Sequence, residues 1–180
     1  MPTHIGFLRA VNIGKRQYRT ADLRAALTGA GYADVDTYIQ TGNIRIASST
    51  RSTTKVEAEL EELFLADRGF EVTTMVFSPA ELAAVVHVAP KVAEEAQGRA
   101  PEHGHYISLL KTPAPDEAAR AAEALSLPGE RVVVRGRAMH LLYDVGFGTA
   151  KLSAPKLEKA VGPATNRSLK VLREIVERWC

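Results

Sequence analysis

The stretch Tyr38-Ile39-Gln40-Thr41-Gly42-Asn43-Ile44-Arg45-Ile46 constrains the fold more than any other part of the chain. Two β-prone runs, 35–39 and 44–47, flank Gln40-Thr41-Gly42-Asn43, and Gly-Asn is a pair that accepts positive φ. The segment therefore predicts a tight hairpin. Thr41 and Asn43 can close such a turn by bonding local backbone, whereas Gln40 has no such duty and is long enough to reach a ligand.

On either side of the hairpin the pattern alternates between periods of two and of 3.6 residues. Residues 5–10 read as a buried strand and 11–16 as a loop with one glycine and two cations. A helix follows from an N-cap at Thr20, with Leu23, Ala26, Leu27 and Ala30 on one face, and Gly31 ends it. After the hairpin, Thr54-Lys55-Val56-Glu57 has the capping-box form, and Val56, Leu60, Leu63 and Phe64 make an apolar stripe that runs to about Gly69. Residues 72–77 close this half as a strand. Strand, helix, strand, strand, helix, strand is the ferredoxin-like plan.

Ser78-Pro79-Ala80-Glu81 caps a bridging helix that Pro90 is expected to stop, and the polar residues 91–104 read as a connecting segment. The plan then recurs: Leu109-Leu110-Lys111 repeats the character of Phe7-Leu8-Arg9, a helix spans 116–125, and strands 132–134 and 139–143 flank a turn at Gly136-Arg137. Residues 155–160 and 167–179 read as helices, with no counterpart of the strand at 72–77. The expected fold class is α+β: two tandem ferredoxin-like (βαββαβ-type) halves with antiparallel or mixed sheets and helices packed on one face, the second half diverged and ending in helices. The expected organisation is a first half with its bridging helix at 1–90, a connecting segment at 91–104, and a second half at 105–180.

No apolar run approaches the roughly 20 residues that span a bilayer, and Met1-Pro2-Thr3-His4-Ile5 is unlike a secretory signal, so a cytoplasmic protein without a membrane role is expected. Cys180 is the only cysteine, which excludes an intrachain disulfide and a thiolate zinc cluster. The net charge is only +2, but its placement is uneven. Residues 1–21, 37–56 and 159–173 contain no Asp or Glu, yet they carry Arg9, Lys15, Arg16 and Arg19, then Arg45, Arg51 and Lys55, then Lys159, Arg167, Lys170 and Arg173. Three acid-free segments that meet in space would form one positive concavity.

Phe7-Leu8-Arg9-Ala10-Val11-Asn12-Ile13-Gly14, the helix at 23–31 and Tyr38-Ile39-Gln40-Thr41-Gly42-Asn43 resemble the bacterial family catalogued as domain of unknown function 1697. That family opens with an Arg-Gly/Ala-x-Asn-x-Gly loop and carries a Tyr-x-Gln-Ser/Thr-Gly-Asn hairpin. Gly148-Thr149-Ala150-Lys151-Leu152 and Ala164-Thr165-Asn166-Arg167 resemble its later signatures, with Ala150 where the family usually has Ser and Ser168 where it usually has Asn. The resemblance implies an α+β fold of ferredoxin-like halves, and it implies no activity.

The sequence thus proposes Arg9, Asn12, Lys15, Gln40, Thr41, Gly42, Asn43, Lys151, Asn166 and Arg167 as one ligand-binding set, with phosphate or carboxylate as the guest. A single-stranded nucleic acid is the alternative partner, and the 6% aromatic content and the lack of a Gly-Phe-Gly-Phe-Val-type run argue against it. A protein-interaction module without catalysis is the third reading. His103-Gly104-His105 lacks a third ligand at a recognisable spacing, so no metal is assigned, and no cofactor is indicated. His4, His87 and His140 sit in apolar surroundings and read as structural. No Gly-x-Ser-x-Gly elbow is present, paired carboxylates are absent from the candidate site, and Asp36 and Asp144 are the nearest acids that could act as a general base. Catalysis is neither established nor excluded, and the oligomeric state is not readable.

Overall fold

A computed structural model describes residues 1–152 and 154–180, with Phe147 described by its backbone alone. The chain divides into two compact units, Met1–Leu82 with Arg178–Cys180, and Ala83–Glu177. In unit 1 the order is β1 (Thr3–Leu8), α1 (Thr20–Gly29), β2 (Ala33–Tyr38), β3 (Asn43–Ala47), α2 (Thr53–Arg68) and β4 (Thr74–Phe77). Helix α3 (Pro79–Gln97) follows. Unit 2 then carries β5 (Gly104–Leu110), α4 (Asp116–Glu123), β6 (Glu130–Arg135), β7 (Ala138–Tyr143), α5 (Ala154–Val161), β8 (Ala164–Ser168) and α6 (Leu169–Trp179).

Both sheets are four-stranded and antiparallel, ordered β2-β3-β1-β4 and β6-β7-β5-β8, which is one plan laid down twice. The duplication extends to single hydrogen bonds. In unit 1 the Leu8 amide donates to the Gly42 carbonyl at 2.8 Å and the Arg9 amide to that of Thr73 at 2.9 Å. In unit 2 the Leu110 amide donates to Arg137 at 2.9 Å and the Lys111 amide to Pro163 at 3.2 Å.

Two sequence expectations are corrected. The second half does have a fourth strand, β8, pairing Leu109 with Thr165 and Ile107 with Arg167. It is a short polar edge strand that passes directly into α6, so its period-two signal merges with the helical one. Helix α3 also runs through Pro90. A proline costs a helix one bond and some strain, and here Ala89, Val92 and Ala93 are buried around it.

Helices α2 and α3 start at side-chain caps, whereas α1 and α4 have none. The Ser52 hydroxyl accepts the Lys55 amide at the start of α2, Gly69 ends that helix with φ 73°, and the Ser78 hydroxyl accepts the Glu81 amide at the start of α3. In unit 1, Leu8, Ile44, Ile46 and Val76 of the sheet pack on Leu23, Leu27, Val56, Leu60 and Phe64 of α1 and α2. In unit 2, Val132, Val134, Met139 and Leu141 pack on Ala122, Leu157 and Val161 of α4 and α5. Each large apolar side chain so buried contributes roughly 1.5–3 kcal/mol.

One outer strand of each sheet is closed by side chains of its covering helix. Glu57 and Glu61 of α2 accept the Val76 and Thr74 amides of β4, each at 2.8 Å. Glu123 of α4 accepts the Val134 amide of β6 at 2.8 Å, and the Ser126 hydroxyl accepts that of Val132 at 3.0 Å.

Candidate functional site

Strand β1 lies between β3 and β4, with Phe7 opposite Asn43 and Leu8 opposite Thr74. That register brings three connections to one end of the unit 1 sheet: residues 9–19, the hairpin turn 39–42, and residues 70–73. Asn12 ties the first two together. Its Nδ2 donates to the Gln40 carbonyl at 2.8 Å, while its Oδ1 accepts the Tyr18 amide at 2.9 Å. Gly42 seats the turn against β1. A Cβ there would stand 2.7 Å from both Leu8 Cβ and Val11 Cγ2, and its φ is 74°. Asn43 is buried, its Nδ2 donating to the Tyr38 carbonyl and to Thr41 Oγ1.

These loops are conformationally strained. Ala10 (φ 55°), Asn12 (φ 59°) and Ile39 (φ 50°) all occupy the left-handed region, which is a true outlier for a β-branched residue. Such strain costs on the order of 1–3 kcal/mol per residue and concentrates at functional sites. Ile13 is 66% exposed and Ile39 44% exposed, beside exposed Lys15 and Gln40.

At the same end lies a recess of about 400 Å³ lined by Arg9, Arg16, Phe70, Glu71 and Thr73. The Arg16 guanidinium is fixed within it, donating to the Glu71 carbonyl and lying 5.1 Å from the centre of the Phe70 ring. Of the residues chosen from sequence, Arg9 lines this recess. Asn12, Thr41, Gly42 and Asn43 join the loops around it, and Lys15 and Gln40 stand exposed on those loops. Arg16 was legible as a cation in an acid-free segment. Phe70, Glu71 and Thr73 carried no motif, because only the position of β4 beside β1 brings them to Arg9.

Lys151, Asn166 and Arg167 belong to unit 2. The Lys151 amide donates to both carboxylate oxygens of buried Glu130, at 2.8 and 3.0 Å, and the Leu152 amide donates to Oε2 at 2.7 Å. The Lys151 side chain is exposed and lines a recess of about 210 Å³ together with Ser126, Leu127 and Lys156. Asn166 is exposed on β8, and its carbonyl accepts from Arg167 Nη1 at 2.8 Å. Arg167 is buried, donates to Thr165 Oγ1 at 2.9 Å, and is pushed down to about 10 in pKa by that burial.

The two acids that sequence offered as bases are occupied. Asp36 accepts from Arg24 and the Thr37 amide through Oδ1, each at 2.8 Å, and from the Trp179 indole through Oδ2 at 3.1 Å. Asp144 accepts the Glu102 amide at 2.9 Å and a two-point contact from Arg99 at 2.9 and 3.1 Å. The amide bond first and Arg99 second hold its carboxyl below the usual range. His105 Nε2 and His140 Nδ1 lie 3.0 Å apart. Burial, then Arg173, drives His105 down to about 4; burial, then His105 and Arg135, drives His140 to about 3. Both rings are therefore neutral at physiological pH.

No helix among the described residues is long and apolar enough to cross a membrane. A family model described as protein of unknown function (DUF1697) matches residues 1–140. A solved structure, that of the conserved bacterial protein SP0830 from Streptococcus pneumoniae, superposes with a TM-score of 0.72 at 20% sequence identity, covering 99% of this chain and 98% of that one. At that identity the likeness establishes the fold alone. No curated protein matches the sequence. The chain belongs to the DUF1697 family.

Proposed function

We propose that this DUF1697 member binds a small anionic metabolite, bearing phosphate or carboxylate, in the recess lined by Arg9 and Arg16. The carrying observation is that two arginines line one recess of about 400 Å³, within the roughly 300–1,000 Å³ usual for small-molecule sites. Guanidinium forks match planar and tetrahedral anions. Arg16 is already oriented by Phe70 and the Glu71 carbonyl, so less side-chain freedom is lost on binding. Gln40 and Lys15, on the loops at the same end of the sheet, are the groups we expect at the outer edge of a bound ligand. Lys151, Asn166 and Arg167 lie outside this proposal.

A single-stranded nucleic acid is less well supported. Sheets that stack bases present aromatic rings to solvent, whereas Phe7 and Phe77 are buried and pack edge to face at 6.0 Å. Binding rather than catalysis is proposed because Asp36 and Asp144, the acids suggested as bases, are both committed to structural partners.

The test is a thermal-shift series with inorganic phosphate, sugar phosphates and dicarboxylates. A ligand at about 100 times its Kd should raise the melting temperature of the native protein by roughly 5–10 °C. The shift should vanish in Arg9→Ala and shrink only partly in Lys15→Ala. Should no anion move the native protein, or should a shift survive Arg9→Ala with Arg16→Ala, the proposal is overturned.

A further inference from the structure

Resting on that anion-binding reading, we infer that the ligand is a zwitterion, with its phosphate or carboxylate on Arg9 and Arg16 and a protonated amine several bonds away on Glu71 and Glu62. The basic recess has an acidic neighbour of about 360 Å³, lined by Glu61, Glu62, Leu65, Glu71, Val72 and Thr73. Glu71 and Thr73 line both recesses, so the two adjoin along that wall. Arg9 and Arg16 line only the first recess, Glu61 and Glu62 only the second, and Glu71 lines both.

The carboxylates divide by duty. Glu61 accepts the Thr74 amide at 2.8 Å and holds the edge of β4. Glu62 and Glu71 are exposed, and neither side chain makes an ion pair or a hydrogen bond to a described residue; only the Glu71 carbonyl is engaged, by Arg16. A purely anionic guest would bring its charge against Glu71. An added ammonium turns that repulsion into attraction, while Phe70 and Leu65 supply apolar walls for the chain between the charged ends.

The experiment is isothermal titration calorimetry with two matched pairs, O-phosphoethanolamine against ethyl phosphate and 6-aminohexanoate against hexanoate. The native protein should bind an aminated member at least ten-fold more tightly than its partner, about 1.4 kcal/mol. Glu62→Gln with Glu71→Gln should abolish that preference without weakening ethyl phosphate, and Arg9→Ala should weaken both members of a pair. Equal affinity within each pair, or a preference that survives the double Gln variant, overturns the zwitterion and leaves the anion-binding reading standing. Failure of all four compounds to bind the native protein overturns the zwitterion, and the anion-binding reading falls with it only if the thermal-shift series is silent as well.

Discussion

Unit 1 and unit 2 share a strand order and even the two backbone bonds at the end of the first strand, yet they treat the loops there in opposite ways. In unit 1, β1 and α1 are joined by residues 9–19 and the hairpin turn takes four residues, 39–42. In unit 2 the corresponding connections are 111–115, which includes Pro113 and Pro115, and the two-residue turn Gly136-Arg137. All four non-glycine residues with positive φ among the described residues, Ala10, Asn12, Asp34 and Ile39, lie in unit 1. The same scaffold is pared down in one copy and elaborated under strain in the other. Loops lengthened and strained on a rigid frame are where binding usually resides.

The two hairpin glycines probe this contrast most strongly. Gly42→Ala combines a left-handed φ with contacts at 2.7 Å to Leu8 and Val11, and should lower stability by about 4 kcal/mol. Gly136→Ala has φ 57° and open space around it, and should cost about 1 kcal/mol. Urea unfolding measures both, and equal costs would break the comparison.

The edge carboxylates come next. Glu57 is 3% exposed, so Glu57→Ala strands the Val76 amide and should cost about 2–3 kcal/mol. Glu123→Ala leaves a more open site and should cost about 1 kcal/mol, because water can replace the lost bond. Similar in size is Asn12→Ala, which removes the bond to the Gln40 carbonyl that links the two strained loops and the bond from the Tyr18 amide within 9–19, and should cost about 1 kcal/mol. Its diagnostic effect is local: limited proteolysis should accelerate within 9–19 and leave 111–115 unchanged.

A separate effect belongs to unit 2 and concerns acid. The unfolded chain takes up protons on His105 and His140 near their ordinary 6.5, whereas the folded chain resists until about 4 and about 3. Stability from this pair is therefore complete above 6.5 and declines as pH falls from there toward 4. The melting temperature should drop by roughly 10 °C or more between pH 7 and 4.5, and the slope should flatten in His105→Phe with His140→Phe. A native protein with no slope in that window would contradict the assignment of a neutral buried pair.

Much of this architecture was legible in the residues. The hairpin, the start of α3 at Ser78 and the recurrence of Phe7-Leu8-Arg9 as Leu109-Leu110-Lys111 rest on local chemistry, and local chemistry is what a sequence displays; two caps were misplaced, since α2 is capped by Ser52 rather than Thr54 and α1 follows Arg19 without a side-chain cap. Strand β8 escaped because four of its five residues are polar, and such a strand at a sheet edge has little amphipathic contrast. The continuation of α3 through Pro90 escaped because burial around it overrides a local veto. The candidate site was half visible: Arg9 and Arg16 stand out as cations without acids nearby, but Phe70, Glu71 and Thr73 join them only through the pairing of β1 with β4. Asn12 and Asn43 read equally well as ligand contacts or turn fasteners, and only their bonding partners reveal the fastening.

The helix-borne acceptors along β4 and β6 bear on what the molecule meets in a crowded solution. A stray extended segment seeking to lengthen either sheet needs donors along the outermost strand, and on those two flanks they are already taken. Recruitment of foreign strands, the first step toward fibrillar aggregates, is left only the opposite borders, β2 and β8. Of these, β2 is kinked by the register shift between Ala33 and Asp36, so β8 is the border where a solubilising charge would do the most good.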